Sequence, residues 1–361
     1  MTRADCLKKA EKKNQARRNK QAFIPPVEAS IFQASWMRKD GQPPKSPAEA
    51  LQTERFPLWY HAIYTDGLHP EARFPRERYR MLLARLQSDD AFERMTIQTP
   101  RPAGRAHLLL AHDETYVDRF VNGALEEKER KRIGLTPWTP TMVDRTLYLM
   151  GGALEATQHA VHNGGLSGNM AGGTHHAHRG FGSGYCVFND LAMCALYALA
   201  ELDVRRVAIL DLDVHQGDGT ATILAEEPRV CTVSVHCQTN FPFRKAHSDH
   251  DLPLPPDSDD ATFLETVNKA LEICLDFEPD LVLFQAGVDA LDADALGKLN
   301  VSRDGMRARN QLVFERMCEH RIPTVIFMGG GYAKPIEKSL DAFFDLFTDA
   351  AAWHRRWFHE G

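Results

Sequence analysis

The chain contains no run of about 18 consecutive apolar residues, the length a membrane-spanning helix needs, and no apolar leader near its start. Neither membrane insertion nor Sec export is therefore expected, and the cytoplasm, or the nucleus in a eukaryote, is the expected location. A C-x-x-C pair is also missing. The seven cysteines (Cys6, Cys186, Cys194, Cys231, Cys237, Cys274 and Cys318) are scattered and odd in number. That distribution argues against a disulfide framework and a thiolate zinc site, and fits a reducing compartment. There is no basic surplus, the formal net charge being −6, so the folded body offers no electrostatic footprint for nucleic acid. Neither GxxxxGK followed by Ser or Thr, nor GxGxxG between a strand and a helix, occurs, which removes the common phosphate cradles.

What remains is an ordinary globular composition: 361 residues, 43% hydrophobic and 25% charged, enough to bury one large core or two small ones. The first twenty residues carry eight Lys or Arg against two acids, and Pro25, Pro26, Pro43, Pro44 and Pro47 follow without sustained periodicity. Residues 1–55 thus read as a basic, solvated N-terminal extension, and 56–361 as a single domain. In that domain helical periodicity at 144–163, 189–204, 260–276, 303–319 and 335–348 alternates with short apolar runs at 206–210, 229–236, 280–286 and 323–328. These runs are rich in Val, Ile, Leu and Phe and are bounded by Gly, Asp or Pro, as buried strands of a parallel sheet are. The expected fold is α/β: an open, mostly parallel, doubly wound sheet with helices on both faces. Ligands in such sheets bind beyond the carboxyl ends of the strands.

The polar residues cluster at those ends. After RVAIL comes DLDVHQGDG, with Asp211, Asp213, His215 and Asp218; after DLVLFQA comes GVDALDADALG, with Asp289, Asp292 and Asp294. Asp and His after strands commonly cap helices or satisfy loop amides. Asp213 and His215, however, are two residues apart and share a side in extended backbone, and Asp289 can close a three-ligand site. One nitrogen and two carboxylates suit Zn²⁺ with a position left open for water; oxygen-rich sites also suit Mn²⁺ or Fe²⁺. In GGTHHAHRGFGSGYCVFND, residues 172–190, adjacent His175 and His176 diverge on extended backbone. They are poor joint chelators but workable as two separate proton-handling groups, with Asp211 and Asp218 as unassigned carboxylates for their second nitrogens. His178 reads as a plain loop residue. The eight glycines between 164 and 184 suit close backbone approach to a ligand. Tyr332, in GGGYAKP, either donates a hydroxyl to a developing oxyanion or packs as an ordinary aromatic.

In this order, GGTHHAHRGFGSGYCVFND, ILDLDVHQGDG, QAGVDALDADALGKLNVS and MGGGYAKP resemble the signature blocks of the zinc-dependent histone deacetylase superfamily, over about residues 57–350. The last two blocks are most similar to its class IV branch. The resemblance implies zinc held by Asp213, His215 and Asp289. It implies His176 as general base and acid, His175 as electrostatic helper, and Asp211 and Asp218 as their respective carboxylate partners. Tyr332 then polarises the acyl carbonyl, and the Gly184 carbonyl receives the substrate amide N–H. Tyr185 and Phe241 line the acyl-lysine tunnel, Tyr185 standing where the family usually has phenylalanine. Arg78, in HPEARFPRERYR, matches an inner-channel arginine. Some members also hold a structural K⁺ through the backbone carbonyls of Asp211, Asp213 and His215 with Ser234.

The implied activity is removal of an acyl group, acetyl or longer, from the ε-amine of a protein lysine. Acetylpolyamines and other small amides fit the same residues. An arginase-like binuclear Mn²⁺ hydrolase shares the architecture, but it resembles D-x-H-x-D with a D-x-D pair at the later strand end, whereas here Asp218 stands three residues beyond His215 and that strand end offers Asp289 and Asp292. A silent acyl-lysine or metal-binding module has no use for His175, His176 and Tyr332.

Overall fold

The computed structural model describes residues 54–359, so the expected N-terminal extension lies, but for its last two residues, outside the described part. Eight strands form one sheet: β1 (Phe56–Trp59), β2 (Met95–Gln98), β3 (Leu166–Asn169), β4 (Val207–Asp211), β5 (Val230–Cys237), β6 (His250–Leu254), β7 (Leu281–Gln285) and β8 (Thr324–Phe327). Their order is β2-β1-β3-β8-β7-β4-β5-β6, and every neighbouring pair is parallel. The expected open parallel α/β sheet is what forms.

The four strands anticipated from apolar runs, β4, β5, β7 and β8, are contiguous in the sheet and buried along their whole length. Covered on both faces, they read as continuous hydrophobic runs. None of the other four was anticipated from the sequence. In β3 the strand is LSGN, buried throughout although most of it is polar or glycine. Ser167 donates to Ala156 O at 2.8 Å and Asn169 to Leu149 O at 3.1 Å, both on the long helix Met142–Asn163. At Gly168 an added Cβ would come within 3.1 Å of Phe56. Edge strand β6, HDLPL, is only partly buried and carries Pro253 at an exposed position, as an edge tolerates.

The expected helices appear at Met142–Asn163, Asp190–Glu201, Asp260–Asp276, Arg303–Glu319 and Glu337–His359. The last runs well beyond the expected end at 348. Its continuation TDAAAWHRRWFH remains amphipathic, burying Ala350, Ala351, His354 and Trp357. Asn189, Asp259 and Ser302 each cap a helix by accepting a backbone N–H with the side chain. Among the described residues no helix is long and apolar enough to cross a membrane. The loops that follow β3, β4, β7 and β8, four consecutive strands of the sheet, all leave from its carboxyl edge.

Candidate active site

Asp211 is the last residue of β4, and the chain then turns on its own carboxylates. Asp213 N–H donates to Asp211 Oδ1 at 3.2 Å, and His215 N–H donates to Asp213 Oδ1 at 3.0 Å. From the loop after β7, Asp289 reaches across and accepts Val214 N–H at 2.9 Å. The loop after β8 adds Gly330, whose N–H donates to Asp213 Oδ2 at 2.9 Å. That backbone lies so close that a Cβ on Gly330 would stand 2.1 Å from Asp289 Oδ2, so only glycine fits there.

Asp213, His215 and Asp289 each direct one ligand-type atom into a common space, and the three atoms lie within 4.8 Å of one another. His215 Nδ1 sits 3.0 Å from Asp213 Oδ1 and 3.1 Å from Asp289 Oδ2. All three residues are buried. Burial pushes Asp289 up to about 7, with the Asp213 charge adding to it. Burial opposes charge on His215, yet Asp213 and Asp289 together raise it to about 10. Asp213 is driven up by burial but held well below the usual range by His175 and His215. Two buried carboxylates facing each other need positive charge between them. In the protein alone the His215 proton supplies it; a divalent cation fits the same N,O,O donor set. Among the described residues this is the one group of three such side chains that converges.

His175 and His176 come from the loop after β3, which is latched in place. The Asp190 carboxylate accepts the N–H groups of Gly173 and Thr174 at 2.9 and 2.7 Å, while Asn189 Nδ2 donates to Ala177 O at 3.1 Å. His175 Nδ1 then meets Asp211 Oδ2 at 2.7 Å, and His176 Nδ1 meets Asp218 Oδ1 at 2.7 Å. Desolvation works against charge on His175, but Asp211 and Asp213 raise it to about 9. Desolvation, with the neighbouring His175, lowers His176 to about 4 against the pull of Asp218. One ring is thus built to be charged near neutrality and the other to be neutral.

A cavity of about 290 Å³ opens onto these groups, lined among others by Gly184, Tyr185, Phe241 and Tyr332. Phe241 packs edge-on against His176 at 4.9 Å, and Tyr185 lies 5.8 Å from the Tyr332 ring. Gly184 has φ +51°, and a Cβ there would strike His176 Cδ2 at 2.6 Å. Burial raises the Tyr332 hydroxyl well above its ordinary value, so it stays protonated as a donor. Arg78 also lines the cavity, donating to Gly331 O at 3.1 Å and Gly329 O at 3.0 Å. Ser234 lies beside Asp211 in the β4–β5 register, with its hydroxyl on His236 Nδ1 at 3.0 Å.

Three contributors escaped the sequence reading. Asn240 Nδ2 lies 3.3 Å from His215 Nε2. Arg145, buried on the helix Met142–Asn163, lines the cavity and donates to Tyr64 O; nothing in its helical periodicity separates it from a surface arginine. His178 is no plain loop residue: its Nε2 meets Asp218 Oδ2 at 3.2 Å.

The family model for the histone deacetylase domain matches residues 70–346. The chain belongs to the histone deacetylase family. It is 30% identical to Histone deacetylase 2 of Arabidopsis thaliana over 300 residues, covering 81% of this chain and 76% of that protein. To the acetoin utilization protein AcuC of Bacillus subtilis it is 31% identical over 266 residues, 68% of each chain. An uncharacterized protein of Picosynechococcus is 42% identical over 78% of this chain and 93% of its own length. The solved HD domain of HDA15 superposes with a TM-score of 0.69 at 19% identity, covering 81% of this chain and 90% of that one, a likeness of deacetylase fold. As a histone deacetylase-family hydrolase, the chain carries its family's fold from a point close to the start of the described residues to the final helix.

Proposed function

We propose that the protein is a zinc-dependent deacylase that removes an acetyl or longer acyl group from the ε-amine of lysine in proteins. The observation that carries this reading is a convergence at one cavity: Asp213 and His215 line it beside His175 and His176, each ring held on its own carboxylate, and Asp289 closes the ligand set behind them. Zn²⁺ held by those three residues, or Fe²⁺ in its place, would polarise the acyl carbonyl and ease ionisation of water.

The chain's own residues do the rest. His176, neutral and oriented by Asp218, takes the proton of the attacking water through Nε2 and returns it to the departing amine. His175, charged and fixed on Asp211, stabilises the negative charge that gathers in the tetrahedral intermediate. The Tyr332 hydroxyl donates to the oxyanion. Tyr185 and Phe241 flank the lysine stem, and the Gly184 carbonyl accepts the substrate amide N–H. The products are a carboxylate and a free amine. We assign the chain to the class IV branch on the block QAGVDALDADALGKLNVS, and take a structural K⁺ at Asp211, Asp213, His215 and Ser234 as part of the same reading.

The test is a zinc-defined assay on lysine peptides bearing acyl chains of increasing length, run beside an acetylated polyamine. Turnover of acyl-lysine peptides is the expected result. Exclusive use of the polyamine would replace the protein substrate by a small amine.

A further inference from the structure

We propose that His178 is a positioning residue for His176, acting through Asp218; this role rests on His176 being the general base. The Asp218 carboxylate is divided between two imidazoles. Oδ1 meets His176 Nδ1 at 2.7 Å, and Oδ2 meets His178 Nε2 at 3.2 Å. A carboxylate fastened at one oxygen can swing about its terminal torsion, whose energy wells are broad. Fastened at both, it presents Oδ1 in one direction, and the orientation of His176 is set with it.

His178 is itself held. Its ring stacks on Phe181 at 4.5 Å and 24°, and its backbone N–H donates to Phe181 O at 2.9 Å. The Arg132 guanidinium lies 4.7 Å from the Phe181 ring centre. On its other nitrogen, His178 Nδ1 lies 2.8 Å from Thr222 Oγ1, on the short helix Asp218–Leu224 that also carries Asp218.

Thr222 lets the brace survive either protonation state. Its Oγ1 is 2.8 Å from His178 Nδ1 and 3.0 Å from Gly219 O. With neutral His178 protonated at Nε2, the threonine hydroxyl donates to Nδ1. With the imidazolium, Nδ1–H donates to Oγ1 and the hydroxyl turns to Gly219 O. Nε2–H faces Asp218 in both, and no heavy atom moves.

The test compares His178→Phe, which keeps a ring on Phe181 but loses the donor, with His178→Gln, whose amide nitrogen can stand where Nε2 stands. Both are measured as zinc-loaded full-length protein, for kcat and KM on an acetyl-lysine peptide and for the NMR resonance of the His176 Nδ1 proton. His178→Phe is expected to lower kcat by roughly three- to thirtyfold with KM little changed, the scale of a small misplacement of a reacting group. His178→Gln should recover most of that loss. The His176 Nδ1 proton resonance should move in the phenylalanine variant and stay in place in the glutamine variant, with zinc content equal in all three proteins. An unmoved resonance with wild-type kcat in His178→Phe overturns the proposal, as does equal impairment of the two variants, which would mark His178 as packing alone. If the wild type turns over no acyl-lysine peptide, the proposed function fails, while the resonance still decides whether His178 braces Asp218.

Discussion

The rings of His175 and His176 lie 4.1 Å apart, centre to centre, yet their environments drive them in opposite directions, one to about 9 and the other to about 4. Burial disfavours charge on both. The difference is that His175 faces two carboxylates, Asp211 and Asp213, whereas His176 faces Asp218 and the charge of His175 itself. Neighbouring titratable groups pushed apart in this way mark a division of acid and base roles.

Replacing His176 with Ala should therefore remove the group that moves protons while leaving the ligand cluster intact. Turnover is expected to fall by about 10²–10⁴, the range of general acid–base catalysis, with metal content unchanged. Parallel measurement of kcat/KM and metal per chain checks this; near-normal turnover in His176→Ala would take the proton-transfer role away from it.

Tyr332→Phe keeps the ring that packs beside Phe74 and Tyr185 and loses only the hydroxyl. The expected effect is a fall in kcat of roughly 10²–10³, as for one lost oxyanion donor. Steady-state kinetics decides it, and unchanged kcat would return Tyr332 to the role of an ordinary aromatic.

Asp289→Ala removes one of two carboxylates around His215 Nδ1. Zinc should be lost on dialysis that leaves the wild type loaded, and metal analysis would show it. Full zinc retention in this variant would break the ligand assignment.

Away from the cavity, His112 ties together two stretches of the segment between β3 and the helix Asp190–Glu201. Its Nε2 accepts Asn189 N–H at 2.8 Å and its Nδ1 lies 3.0 Å from His178 O, an arrangement that needs the neutral ring. Burial lowers its pKa to about 4, below the value near 6.5 of an exposed histidine. Between those values the unfolded chain binds the proton and the folded chain does not. The stabilisation is complete above pH ~6.5 and is lost as the pH falls towards 4, by up to about 3 kcal/mol. Urea unfolding at pH 7 and pH 5 checks this: His112→Gln should lose less stability over that interval than the wild type. Equal losses would show that His112 contributes nothing to the acid sensitivity.

Much of this was legible in the sequence. The central strands announce themselves because burial on both faces demands unbroken apolar runs, and Asp211, Asp213, His215 and Asp289 stand at or just past the ends of two of them. Asp213 and His215 could be paired from a spacing of two. The strand LSGN could not be found, because its burial depends on helix carbonyls and on ring packing at Gly168 that no local pattern records. His178 was missed for a related reason: its partner Asp218 is forty residues away in sequence, and only the fold brings them together.

The most direct measurement is hydrolysis of an acetyl-lysine peptide as the metal-stripped protein is titrated with Zn²⁺. Turnover should rise with zinc and level off at about one ion per chain, as one three-residue site requires. No hydrolysis at full occupancy, or a requirement for two ions per chain, would contradict a mononuclear deacylase.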